Sequence, residues 1–339
     1  MSSYIDKIIK LTNTEIETKH IILCGDKNYI KYCGITMTSV LHSNSAEKFT
    51  FELFCDDISD ADLEKLKKTQ RKYNTNINIY IINKDKINSL IDSVNKETHI
   101  SVAGFFRILA FESLDSNVRN VLYLDSDILV KGDITEFWDY QFKNDEIAIV
   151  IEDSDGKIYG ERLEINKYFN SGVMFIDVDK WKKNNCTNRC IKDILTSNYI
   201  MVDQDALNVL LNGKLHFFQN EYNFLYNMND RNNMNRYKIS INVYNKMKVI
   251  HFIGKIKPWH DLARYFSIAK YYLSEKDNSA WNDIEIINIH ILIGFFEKYA
   301  YAKSMMRASI HNGQYFNYLK YLYFFCFYKL SISINKIFQ

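Results

Sequence analysis

Two aspartates, Asp125 and Asp127, are separated by one serine and follow directly after the apolar run Val121–Leu124. A short apolar run bounded by polar residues predicts a buried strand of a parallel sheet. Residues two apart in an extended backbone point to the same side, so both carboxylates project together and Ser126 faces away. Neighbouring carboxylates repel each other unless a cation lies between them, and hard divalent metals take oxygen ligands. The pair therefore predicts a metal site, and the alternative is a turn that ends the strand.

A histidine and a lysine occur close to the only proline of the chain, in the stretch His251–Trp259. His251 belongs to a short apolar strand, and Gly254 and Lys257 follow it. An imidazole together with two carboxylates suits manganese, which accepts nitrogen and oxygen ligands. A lysine can act as a point charge on a phosphate. A histidine in a strand also has a structural explanation, so this residue alone leaves both open.

Two further polar stretches could surround a substrate. The first, Phe169–Val173, contains Asn170 and Ser171 and opens a strand. In the second, Asp203 and Gln204 open a helix. Capping of that helix would explain Asp203, because an aspartate side chain accepts hydrogen bonds from free N–H groups at a helix start. Capping would not explain Gln204.

A polar turn with Asp26 and Asn28 follows the apolar strand Ile21–Cys24. The chain has neither the glycine-rich dinucleotide fingerprint nor the P-loop pattern. A phosphate would therefore have to be held by a metal and by side chains. In open α/β sheets, ligands bind beyond the carboxyl ends of the strands, where we expect this turn and Asp125 to lie.

Strands and helices alternate in the N-terminal third of the chain, which predicts a mostly parallel α/β sheet with helices on both faces. The expected strands are 21–24, 49–55, 77–82, 121–124, 147–151, 170–178 and 248–253. The expected helices are 32–41, 60–73, 103–114, 180–197 and 203–211. Ser59 is expected to cap the second helix. Residues 1–19 are expected to form a polar lead-in with a helical turn or two.

The composition is that of a folded protein, with 47% hydrophobic and 25% charged residues in 339. A formal net charge of +2 provides no overall field for nucleic acid. The six cysteines predict free thiols in a reducing compartment. Cys186 and Cys190 could offer two sulfurs to zinc, but no second pair lies near them. No apolar stretch has the length of a signal-peptide core or a membrane span, so we expect a cytoplasmic protein.

The character of the chain changes near its C-terminal end. From His290 onwards, six lysines and arginines accompany one acidic residue, Glu297, among many aromatic residues. Basic and aromatic residues at helical spacing suit a segment that lies on a membrane surface. A helical pair that packs on the main domain is the alternative. The expected domains are a lead-in at 1–19, an α/β domain at 20–275 and a helical extension at 276–339.

Six ordered motifs together resemble glycosyltransferase family 8, in particular its lipopolysaccharide galactosyl- and glucosyltransferase branch. The motifs are CGDKNY, FFRILAFESL, VLYLDSDILV, FNSGVMFIDVDKW, VDQDALN and HFIGKIKPWH, and they span about residues 20 to 275. The C-terminal part is more loosely similar to the extra domain of enterobacterial-type enzymes in that branch. The resemblance implies a GT-A fold with a mostly parallel, Rossmann-like sheet, a UDP-hexose donor and retention of anomeric configuration. It also implies Mn²⁺, with Mg²⁺ as the alternative.

The resemblance further implies roles for single residues. Asp125, Asp127 and His251 would bind the metal. The residues implied to bind the substrate are Asp26 and Asn28 at the uridine, Gly254 and Lys257 at the diphosphate, and Arg107, Ser126, Asn170 and Ser171 in the rest of the pocket. Asp203 and Gln204 would be the catalytic pair.

Gln204 occupies the position of the family's candidate nucleophile, and an amide is a poor nucleophile. We therefore favour front-face attack by the acceptor hydroxyl, with the leaving phosphate taking its proton and Asp203 orienting the donor sugar. The expected function is transfer of glucose or galactose to the lipid-linked core oligosaccharide of lipopolysaccharide, at the inner-membrane surface. The alternatives are another acceptor, such as a capsule, a glycoprotein or a glycogen-like primer, and a non-catalytic carbohydrate- or membrane-binding protein.

Overall fold

The computed structural model of the chain describes residues 4–12, 17–92, 102–228, 245–261, 263, 266, 268–288, 302–303, 305–307, 309–310 and 313–337. The chain divides into two compact units. The first unit comprises residues 1–226, 242–251 and 275–282. The second unit comprises residues 227–241, 252–274 and 283–339.

The described strands are β1 (Ile5–Leu11), β2 (Lys19–Cys24), β3 (Phe49–Cys55), β4 (Asn76–Ile82), β5 (Asn120–Leu124), β6 (Ile128–Val130), β7 (Ala148–Glu152), β8 (Phe169–Asp177), β9 (Leu215–Phe218), β10 (Phe224–Leu225) and β11 (Val249–His251). The described helices are α1 (Ile30–Ser43), α2 (Asp60–Tyr73), α3 (Lys84–Asp92), α4 (Val102–Ser113), α5 (Glu136–Asp139), α6 (Gly156–Arg162), α7 (Val178–Lys183), α8 (Cys186–Thr196), α9 (Val202–Leu211), α10 (Ala269–Asn278) and α11 (Tyr315–Ile337). A short 3₁₀ helix spans Asn220–Tyr222.

The first unit is built on an eight-stranded sheet in the order β1-β4-β3-β2-β5-β8-β7-β9. The four strands from β4 to β5 run parallel, as do β7 and β9, whereas β1 and β8 are antiparallel to their neighbours. Every residue of β3 is buried, which is typical of a parallel strand covered on both faces. The mostly parallel α/β sheet predicted from the sequence is confirmed.

Helix α2 begins and ends at the predicted residues. The Ser59 side chain accepts a hydrogen bond from the Asp62 backbone N–H at 3.1 Å, and Asp60 and Asp62 occupy the first turn. Asn74 ends the helix with a left-handed φ of 50°, a conformation that asparagine tolerates better than most residues. Local sequence signals were sufficient to define this helix.

The polar lead-in expected at residues 1–19 contains a strand instead. β1 pairs with β4 in antiparallel orientation at the edge of the sheet. Ile5 is buried and Ile8 packs against the same hydrophobic core, while Asp6 and Lys7 are exposed. An edge strand with one wetted face carries charged residues, so its apolar content is too low to separate it from a loop by sequence.

The single helix expected at 180–197 is two helices, α7 and α8. The break falls at Asn184 and Asn185, and Asn185 has a left-handed φ of 51°. The Asn184 side-chain amide donates to the Lys180 backbone oxygen at 2.8 Å. The Asn184 backbone N–H donates to the same oxygen at 3.0 Å, so Asn184 binds the last turn of α7 through both its backbone and its side chain.

In the second unit, α11 is a helix of 23 residues. Five of its exposed apolar residues recur every three or four positions, at Phe316, Leu319, Tyr323, Phe327 and Leu330. Tyr328 of the same helix is buried. No helix in the described part of the chain is long and apolar enough to cross a membrane.

Candidate active site

A small sheet in the order β10-β11-β6 brings His251 close to Asp125 and Asp127. These aspartates lie more than 120 positions earlier in the chain. β11 pairs with β6 in antiparallel orientation, with His251 opposite Ile128. Asp127 directly precedes Ile128 in the chain. This register places His251 Nε2 at 3.1 Å from Asp127 Oδ1 and 3.6 Å from Asp125 Oδ2.

One ligand atom from each of Asp125, Asp127 and His251 lies within 4.8 Å of the other two. Two carboxylate oxygens and an imidazole nitrogen form a donor set that suits a divalent cation such as Mn²⁺. The sequence predicted that the two carboxylates converge because they lie in one extended strand, but the structure brings them together in a different way. β5 ends at Leu124, and Ser126 and Asp127 form a turn. Ser126 is buried, and its backbone oxygen accepts a hydrogen bond from Thr36.

Gly172 is a residue whose importance sequence reasoning missed. A Cβ atom at this position would lie 2.3 Å from His251 Cε1 and 2.9 Å from Asp125 Oδ2. Only glycine therefore allows the backbone of β8 to approach the cluster so closely. The backbone oxygen of Gly172 also accepts a hydrogen bond from Asp125 N at 2.9 Å. The Asn-Ser-Gly sequence could have pointed to such a close approach, but not to its partner.

Two side chains, one buried and one partly buried, hold the Oδ1 atom of Asp125. The Tyr123 hydroxyl donates to it at 2.6 Å, and Arg107 Nη2 lies 3.1 Å away. Burial raises the pKa of Tyr123 well above its ordinary value, so the hydroxyl keeps its proton. With Oδ1 bound in this way, Oδ2 is the atom that faces His251. Tyr123 was read from the sequence only as part of an apolar strand.

Arg107 on α4 connects Asp125 with two other predicted site residues. Its Nη1 donates to Ser171 Oγ at 2.7 Å, and its Nε lies 3.1 Å from Asp203 Oδ2. Its guanidinium also stacks over the Tyr123 ring, 4.9 Å from the centroid. Burial raises the pKa of Asp203, and the positive charge of Arg107 opposes that increase. The structure thus brings residues from four separate motifs into contact.

Helix α9 begins at Val202, and its N-cap residue, Met201, makes no side-chain capping hydrogen bond. Asp203 is not the N-cap residue, because it lies inside the first turn of the helix, where its side chain pairs with Arg107. Asp205 takes over part of the capping function. Its Oδ2 accepts hydrogen bonds from the backbone N–H groups of Ile200 and Met201 at 3.1 and 2.9 Å.

The Gln204 side chain is held at both ends. Its Oε1 accepts hydrogen bonds from Ser171 N at 3.0 Å and Asn170 Nδ2 at 3.2 Å. Its Nε2 donates to the Tyr168 hydroxyl at 3.0 Å, and that hydroxyl donates to Asp205 Oδ1 at 2.7 Å. Sequence reasoning missed Tyr168 because its partners are distant along the chain.

The remaining predicted substrate residues lie in two places. Asp26 and Asn28 lie in the turn after β2, where Asp26 Oδ1 accepts a hydrogen bond from Asn28 N at 2.7 Å. Gly254 and Lys257 belong to the second unit. Gly254 has a φ of +83°, which favours glycine, and Lys257 Nζ donates to the Phe252 backbone oxygen at 2.8 Å. Their contacts with the diphosphate stay a prediction.

The family model of glycosyl transferase family 8 matches residues 20–263, more than half of the chain. The chain belongs to this family. It is 31% identical to a lipopolysaccharide 1,2-glucosyltransferase of Escherichia coli, over 81% of this chain and 82% of that protein. It is 28% identical to the lipopolysaccharide 1,3-galactosyltransferase of Salmonella typhimurium, over 78% of this chain and 79% of that protein. Family 8 membership makes the chain an enzyme, a hexosyltransferase, and removes the non-catalytic alternative.

Solved structures of glycosyltransferases share the fold. The structure of the galactosyltransferase LgtC, in complex with donor and acceptor sugar analogs, matches with a TM-score of 0.60 at 22% sequence identity. The match covers 77% of this chain and 96% of the LgtC chain. The bifunctional glycosyltransferase WbbM matches with a TM-score of 0.65 at 18% sequence identity. This match covers 80% of this chain and 52% of the WbbM chain. The GT-A fold implied by the sequence is thereby confirmed for this family 8 member.

Proposed function

We propose that this family 8 enzyme transfers glucose or galactose from a UDP-sugar to the core oligosaccharide of lipopolysaccharide, with retention of anomeric configuration and dependence on Mn²⁺. The observation that carries the proposal is the convergence of Asp125, Asp127 and His251. Lipopolysaccharide glucosyl- and galactosyltransferases among its relatives support the acceptor and the two candidate sugars.

The donor set favours Mn²⁺ over Mg²⁺, because it includes an imidazole nitrogen and Mg²⁺ prefers oxygen ligands. When bound, the metal supplies positive charge that stabilises the leaving diphosphate. Lys257 and Gly254 are proposed to hold the same diphosphate. A lysine ammonium is suited to this role as a compact point charge.

The nucleotide is proposed to lie beside the turn that carries Asp26 and Asn28. Tyr29 follows this turn, and 40% of it is exposed. Burial raises the pKa of the Tyr29 hydroxyl, and the negative charges of Asp127 and Asp26 add to the increase, so the hydroxyl lies within electrostatic range of both carboxylates. An exposed aromatic ring in this position offers a stacking surface for a nucleobase.

The contacts of Asp205 and Gln204 support front-face attack by the acceptor hydroxyl. Asp205 is fully buried, and Arg162 binds both of its oxygens at 2.8 Å. Gln204 uses its Oε1 to accept hydrogen bonds from Ser171 and Asn170. Neither group is available as a nucleophile, so we propose that the leaving phosphate takes the proton of the acceptor hydroxyl. Asp203, oriented by Arg107, would bind the donor sugar.

Helix α11 is proposed to rest on the cytoplasmic face of the inner membrane, where the lipid-linked acceptor is presented. Phe316, Leu319, Tyr323, Phe327 and Leu330 form its exposed apolar stripe. The lysines at 320 and 329 are also exposed and can bind anionic headgroups. We expect wild-type protein to sediment with anionic vesicles, and replacement of Phe316, Tyr323 and Phe327 by serine to reduce this binding without loss of donor hydrolysis. Equal binding by both proteins would contradict the docking proposal.

Donor hydrolysis without acceptor tests the main proposal. Purified protein is incubated with Mn²⁺ and a panel of UDP-sugars, and the released UDP is measured. We expect the wild-type protein to release UDP from only one of these donors, either UDP-glucose or UDP-galactose. An Asp127→Ala variant should release no UDP from any of them. Asp133→Ala is the matched control, because Asp133 lies in the same stretch but accepts a hydrogen bond from Thr135 N.

The alternative outcomes separate the parts of the proposal. Absence of both UDP release and calorimetric UDP binding would contradict a UDP-sugar donor. Hydrolysis without transfer to purified lipopolysaccharide core would direct attention to the alternative acceptors, a capsule, a glycoprotein or a glycogen-like primer. The anomeric configuration of the product, read by NMR coupling constants, tests retention.

A further inference from the structure

Asn223 is a buried residue directly after the short 3₁₀ helix, outside every motif singled out in the sequence. Its side-chain amide lies behind the histidine of the metal-binding cluster. Asn223 Nδ2 donates to Asn170 Oδ1 at 3.0 Å, and Asn223 Oδ1 lies 3.2 Å from His251 Nδ1. Asn223 therefore contacts both a proposed metal ligand and a residue of the proposed donor-sugar pocket.

Backbone N–H groups establish which atom of each amide is the oxygen. Gly172 N can only donate, and it lies 3.0 Å from Asn170 Oδ1, so this atom is the carbonyl oxygen. The Asn223 atom at 3.0 Å from that oxygen must then be the NH₂ group. An independent check comes from Gln204 Oε1, which accepts hydrogen bonds from Ser171 N and from Asn170 Nδ2. The whole network is consistent with one set of amide orientations.

These orientations determine which nitrogen of His251 carries a proton. Two acceptor oxygens face Nδ1, from Asn170 at 3.1 Å and from Asn223 at 3.2 Å. A nitrogen between two acceptors is satisfied only if it is protonated. The neutral ring then has its lone pair on Nε2, the atom that lies 3.1 Å from Asp127 Oδ1. That lone pair faces the position where a cation would bind.

We propose that Asn223 is a positioning residue of the metal site, which together with Asn170 holds His251 in the tautomer with the proton on Nδ1. Asn170 Nδ2 also donates to Gln204 Oε1 at 3.2 Å, so one hydrogen-bond network joins the histidine to the donor-sugar pocket. The inference rests on the proposed metal-dependent function. It adds a residue that supports the ligand set without touching the metal.

Mn²⁺ affinity tests the proposal directly, because the EPR signal of free Mn²⁺ reports binding without any turnover. We expect Asn223→Ala to weaken Mn²⁺ binding by about tenfold to hundredfold, as loss of such supporting contacts does elsewhere. Asn223→Asp keeps an acceptor for Nδ1–H but loses the NH₂ donor to Asn170 Oδ1, so we expect its Mn²⁺ affinity to lie between those of wild type and Asn223→Ala. Asn44→Ala is the control for general destabilisation. Asn44 is also buried, and its side chain hydrogen-bonds the backbone of Val40 and Ile134.

Unchanged Mn²⁺ affinity in Asn223→Ala would overturn the inference, whereas absence of Mn²⁺ binding by wild type would overturn the metal-dependent function itself. If the alanine variant does not fold, the proton on His251 Nδ1 can be measured by NMR in the wild-type protein instead. In metal-free ¹⁵N-histidine-labelled protein, where no metal selects the tautomer, we expect the Nδ1 resonance of His251 to show a bound proton. His251→Gln identifies the signal. A Nδ1 without a proton would contradict the role of Asn223.

Discussion

Arg107 and Asp203 form an ion pair in the first unit, with Nε 3.1 Å from Oδ2. The second end of the same guanidinium, Nη2, lies 3.1 Å from Asp125 Oδ1. One planar cation therefore contacts both a proposed metal ligand and a proposed sugar-binding carboxylate. The fork of a guanidinium permits this, whereas a lysine ammonium is a single point charge.

Replacement of Arg107 by lysine should separate these two contacts. We expect Arg107→Lys to lower kcat for donor hydrolysis by about tenfold to hundredfold, because an ammonium cannot keep both ion pairs and the hydrogen bond to Ser171 Oγ, and loss of one hydrogen bond of a charged group costs about 1.5–3 kcal/mol. Steady-state kinetics measure the effect, and Arg119→Lys at an exposed position is the control. Wild-type kcat in the Arg107 variant would show that the fork geometry is unimportant.

The absence of a side chain at residue 172 should be necessary for the metal site. Gly172→Ala places a Cβ atom 2.3 Å from His251 Cε1. We expect lower Mn²⁺ affinity together with a loss of about 1–3 kcal/mol in the free energy of unfolding. Gly104→Ala is a contrasting variant, because its Cβ would lie 3.5 Å from Asp203 Cγ, an ordinary contact.

The contrast between the two glycine variants is informative in urea unfolding and in Mn²⁺ titration. Gly104 lies within helix α4, so alanine there should raise the free energy of unfolding by up to about 1 kcal/mol. Mn²⁺ affinity should stay unchanged in Gly104→Ala. If Gly172→Ala binds Mn²⁺ as wild type does, His251 must be able to move away from the new methyl group without loss of function.

The Tyr168 hydroxyl should control the orientation of the Gln204 amide. Gln204 Nε2 donates to this hydroxyl, and Tyr168→Phe would leave that buried N–H without its acceptor. A buried unsatisfied donor costs about 1–3 kcal/mol. We expect reduced stability and a lower kcat, with the KM for UDP-sugar little changed because Gln204 does not contact the nucleotide in our proposal. A change confined to stability would mean that the Gln204 orientation is not used in catalysis.

His260 should make the stability of the protein sensitive to mild acid. Burial lowers its pKa from the ordinary 6.5 to about 4; Asp261 opposes the shift and Lys257 adds to it. Lys257 N donates to His260 Nδ1 at 3.0 Å, which also requires an unprotonated nitrogen. Because the folded pKa is the lower one, the stability contributed by neutral His260 is complete above pH 6.5 and is lost as the pH falls toward 4.

Urea unfolding of wild type and His260→Asn at two pH values measures this contribution. Asparagine keeps an acceptor for Lys257 N but does not titrate. Between about pH 7 and pH 5, wild type should lose about 2 kcal/mol more than the variant. Parallel losses in the two proteins would show that the acid sensitivity arises from other groups.

Much of the first half of the fold could be predicted because its signals are local. The apolar run Phe49–Cys55 became β3 without change, and the cap at Ser59 began α2 at the predicted residue. β1 was missed because a half-exposed edge strand has no strong apolar signal. The helix break at Asn185 was missed because it depends on the left-handed backbone conformation of this one residue. The sequence around Asn185 gives little indication of that conformation.

The sequence by itself determined the ligand types of this protein: two aspartates separated by one serine after a buried strand, and a histidine in a later apolar segment. Only the tertiary structure decided that they meet, because the pairing of β6 with β11 joins segments distant along the chain. It likewise decided that Asp203 pairs with Arg107 and that Asn223 lies behind His251. Residue type limits what chemistry a side chain can do, whereas its partners are set by strand register and by the close approach of the backbone at Gly172.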